Sequence, residues 1–404
     1  MEVLYPRCCG LDVHQKTVVA CLVSPEGKKT RTFKTMTGDL LQLADWIVAN
    51  GITHVAMEST GVYWRPVYNI LEALGITLLV MNAQHIKAVP GRKTDVKDAE
   101  WIANLLRHGL VTGSYIPDRP QRELRELVRY RRSIIRQRAQ VVNRIQKVLE
   151  GANIKLSSVA SNVMGASGRA MLEAISKGVD DPQLLAGFAK GRLREKQSQL
   201  EQPLKGLVGP HQRMMLQSQL RLIDFLDDET SRMDDEIGER MQHLGDALER
   251  VDGIPGMGRR TAEDVLAEIG ADVSRFPTAA QLASWAKLCP GNNESAGKRK
   301  TGKTGHGNPW LRDTLVEAAW GATRTKNTYL AAQYHRLAAR RGAKRAIMAV
   351  AHSILIIVYS LLKNGGEYRE LGGNYFDERN RTATVRRAIH RIESLGYQVE
   401  LQPV

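Results

Sequence analysis

The order of strand and helix patterns near the N-terminus restricts the fold of this chain more than any other feature. Residues 8–14 and 17–23 have the character of strands, and a third strand is predicted over 31–35, beyond the Pro25-Glu26-Gly27 turn. From there the pattern alternates: helix over 40–48, strand over 54–58, helix over 62–74, strand over 76–81, and a helix that begins at Asp95 and ends at Gly109. The order βββαβαβα predicts an α/β domain over residues 1–115.

Four acidic residues occupy positions at which such a domain forms a functional site. Asp12 falls in the first strand and Glu58 ends the fourth. Asp95 and Asp98 lie three residues apart at the start of the last helix, which puts them on one face. Functional sites of open sheets form at the carboxyl ends of neighbouring strands. The four carboxylates therefore converge if the first and fourth strands are adjacent.

The expected role of these acids is metal binding, since four carboxylates repel one another unless cations neutralise them. Two Mg²⁺ ions, with Mn²⁺ as an alternative, would lie about 3.5 to 4 Å apart and act on the attacking and leaving oxygens of a phosphodiester. A simpler explanation of Asp95 and Asp98 stays open, because the dipole of a helix favours acidic residues in its first turn.

The composition indicates a polyanionic partner. Lys and Arg number 58 against 43 Asp and Glu, which gives a formal net charge of +15. The four cysteines show no paired spacing and are expected to be reduced. The longest apolar run, over residues 347–362, is shorter than a membrane span and contains His352. We therefore expect a soluble intracellular protein with no membrane partner.

The chain becomes strongly basic over residues 119–147, where nine arginines and one lysine follow a helical pattern. Apolar positions recur every seven residues, as in a coiled-coil arm, at Leu127, Ile134, Val141 and Val148. The other faces are basic enough to follow a phosphate backbone. The candidate contacts are Arg125, Arg129, Arg132 and Arg136. The alternative is a solvated helix with ion pairs, whose partners in this region would be Glu123, Glu126 and Glu150.

The middle of the chain contains a second arm and a glycine-rich turn. An apolar stripe from Leu216 to Leu248 predicts a helix that packs against the first arm or against another subunit. Residues 151–210 are helical fragments without an assigned chemistry. Residues 252–258 look like a helix-hairpin-helix turn, in which Gly256 and Gly258 let backbone N–H groups approach a phosphate. A plain helix break is the alternative.

A glycine-rich segment from Cys289 to Asn308 holds the second group of candidate functional residues. Its one serine is Ser295. The cationic residues that follow it are Lys298, Arg299, Lys300, Lys303 and His306. A serine hydroxyl is a weak nucleophile until it is activated, and nearby cations stabilise a phosphoryl transition state. The alternative is a nucleic-acid-binding loop with a serine that takes no part in the chemistry.

The same segment matches the phosphate-binding loop pattern Gly-x4-Gly-Lys-Thr over residues 297–304. That pattern requires a buried strand before it and a helix that begins at its Lys-Thr. The sequence instead predicts a helix over 283–288 and a next helix that begins at Pro309, with Asn308 as its cap. ATP hydrolysis is therefore not expected.

Three sequence blocks around the acids resemble the DEDD transposases of insertion sequences. They are Gly10-Leu11-Asp12-Val13-His14, Met57-Glu58-Ser59-Thr60-Gly61 and Lys93-Thr94-Asp95-x-x-Asp98-Ala99. Pro290, Ser295 and the run Gly307-Asn308-x-x-Leu311-Arg312 are similar to the serine segment of that family. Ala296 stands where the family usually has glycine, a departure that concerns the local turn and not the hydroxyl.

The resemblance implies a transposase that cuts and rejoins DNA. The implied architecture is a RuvC-like, RNase H-type α/β domain over 1–115, a basic coiled-coil region over 116–250, an all-α C-terminal domain with the helix-hairpin-helix and the serine segment over 251–375, and a basic tail over 376–404. It also implies that Ser295 attacks a phosphodiester to form a phosphoserine, promoted by metal ions on Asp12, Glu58, Asp95 and Asp98.

The partners implied by the resemblance are double-stranded DNA of the element ends and the target, a structured bridge RNA, and further copies of the chain in a dimer or tetramer. The implied location is the bacterial cytoplasm, at the nucleoid. Because two arms separate Ser295 from Asp98, the serine of one subunit is expected to meet the acids of another.

Two other functions stay open. A RuvC-like junction nuclease would use only the acids and water, so that Ser295→Ala would remain active. A non-catalytic nucleic-acid-binding protein on the same scaffold would tolerate both Asp95→Ala and Asp98→Ala.

Overall fold

The computed structural model describes residues 2–59, 61–81, 95–290, 293–295, 298–301, 304–305 and 307–402, and for residues 95–97, 293–295 and 298–301 it describes the backbone alone. The chain divides into two compact units, Met1–Asp118 and Arg119–Val404, which we call the N-terminal unit and the C-terminal unit. The finer division of the C-terminal unit at residues 250 and 375 stays a prediction.

A mixed five-stranded sheet forms the centre of the N-terminal unit. Its strands are β1 (Cys8–Val13), β2 (Thr17–Ser24), β3 (Gly27–Lys34), β4 (His54–Glu58) and β5 (Thr77–Met81). Their spatial order is β3-β2-β1-β4-β5, with β1 antiparallel to β2, β2 antiparallel to β3, and β4 parallel to both β1 and β5. The first and fourth strands are therefore neighbours, and the sheet is consistent with an RNase H-like fold.

The helices of the N-terminal unit are α1 (Thr37–Ala49), α2 (Trp64–Leu71), which continues into a 3₁₀ turn at Glu72–Leu74, and α3 (Asp95–Arg107). Side chains of β1 alternate between two hydrophobic cores. Cys9 and Leu11 pack with residues of α1 and α2. Cys8 packs on the opposite face with Ala99 and Ala103 of α3. Burial on both faces explains why the sequence of β1 is apolar almost throughout.

Strand β3 begins at Gly27, earlier than the predicted start at residue 31. It pairs with β2 along its whole length, from Thr17↔Lys34 to Ser24↔Gly27. It lies at the edge of the sheet, and Phe33 is the buried residue in an otherwise exposed polar strand. Exposed polar edge strands lack the apolar alternation from which a start could be predicted.

The C-terminal unit is mostly helical. Its helices are α4 (Arg119–Gly151), α5 (Ala166–Ser176), α6 (Pro182–Gly187), α7 (Gln197–Leu200), α8 (Pro210–Arg240), α9 (Gly245–Asp252), α10 (Arg259–Ile269), α11 (Ala279–Trp285), α12 (Pro309–Arg324), α13 (Tyr329–Arg341), α14 (Ala343–Asn364), α15 (Tyr375–Arg379) and α16 (Arg381–Glu393). Shorter 3₁₀ turns lie at Leu156–Ser158, Gly191–Lys196 and Gln242–Leu244. A hairpin of β6 (Asn293–Ser295) and β7 (Lys298–Thr301) precedes α12.

The two long helices α4 and α8 pack along one hydrophobic core. Ile134 and Val141 of α4 share it with Leu216 and Leu220 of α8. Helices α5 and α6 contribute to the same core, which gives a structural role to the fragments between the arms. The predicted second arm was too long, because α8 ends at Arg240 and the remainder of the stripe lies in a 3₁₀ turn and α9. Coiled-coil geometry stays a prediction.

Helix α14 is long and apolar enough to cross a membrane by length and composition, with a mean hydropathy of 2.0 over its most apolar window. Half of this apolar stretch is buried inside the C-terminal unit. Buried residues such as Ile347, Val350 and Ile354 recur at the spacing of one helix face, and the neighbours of the helix are α9, α11, α12 and α13. This packing is typical of the core helix of a helical domain.

Candidate active site

The sheet brings Asp12 and Glu58 side by side. The pairs of β1 and β4 run in parallel register from Cys8↔His54 to Leu11↔Met57, and the next step along both strands is Asp12 and Glu58. Side chains of a strand alternate between the two faces of the sheet, so Asp12 shares a face with Cys8, and Glu58 shares a face with Ala56. Cys8 and Ala56 pack under α3. The two carboxyl-bearing residues therefore belong to the sheet face that α3 covers.

Helix α3 lies directly on β1 at Gly10. A Cβ atom at this position would be 2.2 Å from the carbonyl oxygen of Ala99 and 2.4 Å from the backbone nitrogen of Ala103. No larger residue fits without displacing the helix. Asp98 immediately precedes this contact and is half-buried. The contact thus brings Asp98 to the face that carries Asp12, and the side chain of Asp95 lies outside the described residues.

The carboxylate of Asp12 is almost fully buried, with 8 % of the residue exposed. Its Oδ2 accepts a hydrogen bond from Nε2 of His14 at 3.0 Å. A buried charge needs such a partner. No role was predicted for His14, although an Asp-x-His spacing along an extended chain places both side chains on one face.

The chemistry of these acids fits a hard divalent cation, which prefers carboxylate oxygens. Within the part of the chain that the structure describes, no three His, Cys, Asp or Glu side chains come close enough together to hold a metal ion. Asp12, Glu58 and Asp98 are among the described side chains, so these three do not form such a group by themselves. With Asp95 described by its backbone alone, the four-acid metal site stays a prediction.

The serine segment contains a β-hairpin that the sequence did not predict. Strands β6 and β7 are antiparallel, and Ser295 pairs with Lys298 at the end of the hairpin. Pro290 and Thr304 form a further antiparallel bridge, which brings the two ends of the segment together. The side chains of Ser295, Lys298, Arg299 and Lys300, and the whole of Lys303, lie outside the described residues.

The phosphate-binding loop pattern does not have the structure of an ATPase site. Helix α12 begins at Pro309, as predicted, whereas a phosphate-binding loop would need a helix that begins at Thr304. A strand does precede the pattern, but it is the three-residue β6, which pairs with β7 in a two-stranded hairpin and not in a larger sheet. Asn308 is the predicted cap, because its Oδ1 accepts hydrogen bonds from the backbone N–H groups of Trp310 at 3.1 Å and Leu311 at 3.3 Å. The predicted helix before the segment ends at Trp285, three residues early.

The arginines of α4 have acidic partners far away in the sequence, which the sequence analysis did not count. Arg129 makes a bidentate ion pair with Glu268, with N–O distances of 2.7 and 2.8 Å. Arg125 donates to the backbone carbonyl of Ala267 at 3.0 Å. Arg132 contacts Asp264 at 3.2 Å. These three guanidinium groups are partly or fully buried and have little surface left for a phosphate.

Arg136 remains exposed among the four predicted nucleic-acid contacts. Its side chain is 47 % exposed, pairs with Asp313 at 3.0 Å and lies 5.2 Å from the ring of Trp310. The exposed residues Arg144 and Lys147 follow on the same helix. Exposed basic residues of α4 therefore lie on both sides of the buried arginines, at Arg119 before them and at Arg136, Arg144 and Lys147 after them.

Arg131 is the centre of a buried ion-pair network, and its side chain is 1 % exposed. It reaches Glu263 at 2.6 Å, Asp264 at 2.8 Å and Asp234 at 3.0 Å. Burial lowers the pKa of Arg131, but its hydrogen bond to Glu263 and the charge of Asp264 outweigh this and raise the pKa overall. Burial raises the pKa of Asp264, and Arg131 opposes that shift.

The two glycines of the predicted helix-hairpin-helix lie between α9 and α10. Gly256 has a φ of +83°, and a Cβ there would be 2.2 Å from the carbonyl oxygen of Ala318 and 2.3 Å from the nitrogen of Ala322. This position therefore requires glycine for the contact with α12. Gly258 precedes α10 in an extended conformation and has open space beside it. Phosphate binding by this turn stays a prediction.

Two family models match this chain. A DEDD transposase model of the IS110 type matches residues 9–154, and the model described as the transposase IS116/IS110/IS902 family matches residues 248–336. The chain belongs to the IS110 family of DEDD transposases. The first match includes Asp12, Glu58, Asp95 and Asp98, and the second includes Ser295. A comparison with individual curated proteins found no match.

Membership in this family makes the protein a DNA transposase, an enzyme that binds and recombines DNA. A DEDD domain also implies a divalent metal ion. Each half of the transposase therefore contributes one group of candidate catalytic residues, the acids in the N-terminal unit and the serine segment in the C-terminal unit.

Proposed function

We propose that this transposase exchanges DNA strands by transesterification, with Ser295 as the nucleophile and Asp12, Glu58, Asp95 and Asp98 as the metal-binding acids. The observation that supports this most is the register of β1 and β4, in which Asp12 and Glu58 come next on the sheet face that packs against the helix of Asp95 and Asp98. The four cations Lys298, Arg299, Lys300 and Lys303, which follow Ser295 within eight residues, give a second support, because cations stabilise a phosphoryl transition state.

In the proposed reaction the hydroxyl oxygen of Ser295 attacks a DNA phosphorus atom. A new phosphorus–oxygen bond forms, the bond to one DNA oxygen breaks, and the proton lost by the serine is balanced by the proton gained by the leaving hydroxyl. The number of phosphoester bonds is conserved, so a hydroxyl of another DNA end reverses the reaction and joins new strands. Lys298, Arg299, Lys300 and Lys303 would stabilise the charge of the transition state.

Mg²⁺, with Mn²⁺ as an alternative, would be held by the four acids and would supply charge stabilisation at the phosphoryl oxygens. The contribution of the chain is to orient those acids. His14 fixes one oxygen of Asp12 by its hydrogen bond, and the Gly10 contact fixes the helix of Asp98.

The proposed nucleic-acid surface includes the exposed basic part of α4, at Arg136, Arg144 and Lys147, and the turn at Gly256 and Gly258. The excess of basic residues supports both DNA and a structured bridge RNA as partners. A homo-oligomer, dimer or tetramer, in the cytoplasm and at the nucleoid completes the proposal. Mixed oligomers of Asp12→Ala and Ser295→Ala protein test it, since activity that returns on mixing requires residues from two subunits.

The deciding experiment is a search for a protein–DNA adduct. Full-length protein, the RNA that flanks its element and end-labelled junction DNA are incubated with Mg²⁺, denatured and separated. We expect a protein-linked DNA band that both Ser295→Ala and Asp12→Ala abolish. Ser274→Ala is the matched control, because Ser274 is an exposed serine of the same unit with an unrelated hydrogen bond to Asp272. It should leave the band unchanged.

The competing function is a metal-dependent nuclease that uses water. It is supported by the placement of Asp12, Glu58 and α3 on one face of the N-terminal unit, independently of the serine. It predicts DNA cleavage without an adduct, and cleavage that persists in Ser295→Ala. That result would remove Ser295 from the mechanism.

A further inference from the structure

Glu268 is a buried carboxylate that the transposase chemistry described above does not use. Its side chain is 2 % exposed and lies in the last turn of α10. Both of its oxygens pair with Arg129 of α4, and Nε of Arg125 lies 3.6 Å from one of them. A carboxylate enclosed by two guanidinium groups is held in one orientation, because bidentate pairs are directional.

The same carboxylate holds the end of the serine segment. Nδ2 of Asn308 donates a hydrogen bond to Oε2 of Glu268 at 2.5 Å. The other side-chain atom of this amide, Oδ1, caps α12. Both hydrogen-bonding ends of Asn308 are therefore used, one to start a helix and one to attach that helix to α10 and α4.

The residue before Asn308 is packed just as closely. A Cβ atom at Gly307 would be 2.7 Å from the Cβ of Lys287 and 2.8 Å from the carbonyl oxygen of Ala286. The chain thus returns from the hairpin directly against the end of α11. With the bridge between Pro290 and Thr304, these contacts fix both ends of the segment that carries Ser295.

Helix α4 contacts this junction at a second point. The ring of Trp310, two residues after Asn308, lies 5.8 Å from the guanidinium carbon of Arg129 and 5.2 Å from that of Arg136. Arg129 therefore touches both Glu268 and Trp310, and Arg136 is one of the exposed arginines of the proposed nucleic-acid surface. The start of α12 and the basic helix share side-chain contacts over about two helical turns.

We propose that Glu268 is a positioning residue for strand transfer, which fixes the serine segment through Asn308 and ties its placement to helix α4. The inference rests on the proposed role of Ser295. Glu268 does not touch DNA in this mechanism. It acts because the attacking hydroxyl must be held in place, and a displacement of about 1 Å at a reacting group lowers a rate by up to roughly 100-fold.

The test exchanges an amide and a carboxylate between the two positions. Asn308→Asp keeps the oxygen that caps α12 but places a carboxylate against Glu268. Since aspartate caps helices as well as asparagine does, α12 should still form. We expect DNA affinity within about 2-fold of wild type and adduct formation slowed by roughly 10-fold or more. Glu268→Gln alone keeps a carbonyl that accepts from Asn308 but loses the charge that pairs with Arg129, so it should lower the free energy of unfolding as well as the adduct rate.

The double variant Asn308→Asp, Glu268→Gln restores a donor and an acceptor across the contact. We expect it to form the adduct several-fold faster than Asn308→Asp alone. A residue that served only stability would lower DNA binding and adduct formation together. Asp181→Asn is the matched control, because it makes the reverse exchange at the cap of α6 and should change neither rate nor affinity.

A second measurement does not depend on the serine chemistry. Trypsin cleaves after Lys298, Arg299 and Lys300, so its rate at these sites reports how firmly the hairpin is held. We expect faster cleavage in Asn308→Asp and a return towards the wild-type rate in the double variant.

If wild-type protein forms no adduct, the proposed nucleophile is wrong, and the tryptic rates alone decide whether Glu268 fixes the segment. Equal adduct and tryptic rates in Asn308→Asp and wild type would overturn the inference.

Discussion

In the N-terminal unit the helix that carries Asp98 is placed by contact between small residues, whereas in the C-terminal unit the end of the serine segment is placed by buried charges. Gly10 meets Ala99 and Ala103 at backbone distance, without a charged group in the contact. Arg129 of α4 holds Glu268, and Glu268 in turn accepts a hydrogen bond from Asn308. The ion pairs of the N-terminal unit that involve Arg or Lys, among its described residues, are partly exposed.

The difference fits what each region is proposed to bind. A divalent metal ion needs carboxylates whose charge is not already compensated, so an arginine used to place α3 would compete with the metal. Close packing of small residues avoids that competition. The serine segment is proposed to work beside a polyanion, and there arginines paired with buried acids would place the segment without adding net charge.

The largest expected effect comes from removing the centre of the buried network. Arg131→Met removes the guanidinium group that Glu263 and Asp264 share and leaves them with Arg259 and Arg132. Breaking a buried ion pair typically costs about 3 to 5 kcal/mol. The free energy of unfolding, measured by denaturant titration of the full chain, checks this value. Arg138→Met is the control: its pair with Asp227 is partly exposed, and such pairs are worth about 0 to 1 kcal/mol. Equal losses in the two variants would contradict the distinction.

The stability that Arg131→Met loses should also depend on pH, in a direction that the pKa of Asp264 determines. Burial raises the pKa of Asp264 above its unfolded value, and Arg131 opposes this. Without Arg131 the pKa of Asp264 in the folded state rises further. Protonation of Asp264 then stabilises the folded state below this pKa, and that stabilisation is lost as the pH rises through it. The stability deficit of Arg131→Met should therefore shrink between neutral pH and mildly acidic pH, in denaturant titrations made at each pH. A deficit that grows on acidification would assign the loss to packing.

A smaller effect is expected from Gly10→Ala, which tests the close contact in the N-terminal unit. The added methyl group would overlap the backbone of α3, and overpacking of this kind costs about 1 to 3 kcal/mol. Because α3 carries Asp98, we also expect the Mg²⁺ concentration for half-maximal DNA cleavage to rise. Gly38→Ala, with open space around it, should change neither quantity. A loss of stability at unchanged Mg²⁺ dependence would limit Gly10 to packing.

The smallest expected effect concerns thiol reactivity and requires no substitution. Burial raises the pKa of Cys8 to about 11 and that of Cys9 and Cys21 above the usual value. Since the thiolate is the reactive form, these three should resist alkylation in the native protein at pH 8. Half-buried Cys289, at the start of the serine segment, should be labelled first. Mass spectrometry of labelled peptides, with denatured protein as the control, measures the order.

Local pattern was enough to predict β4, the neighbouring helices and the Asn308 cap, because each depends on residues close together in the sequence. It failed for the β6–β7 hairpin, whose strands are three and four residues long, polar and basic, and carry no apolar alternation. It also placed the arginines of α4 in solvent. Their partners Glu263, Asp264 and Glu268 lie more than 100 residues further along the chain, beyond the reach of any helical spacing.

The sequence by itself determined the types and spacing of the candidate catalytic residues, the family, and most of the helices, since motif chemistry and periodicity are properties of the linear chain. Only the tertiary structure decided which strands are neighbours, that Gly10 is where α3 rests, and that Arg125, Arg129 and Arg132 turn inwards. The physical reason is that strand neighbours, close contacts and arginine burial depend on pairing between residues far apart in the sequence. The same arginine pattern can bind a phosphate backbone or buried carboxylates, and only the fold brings the carboxylates within reach.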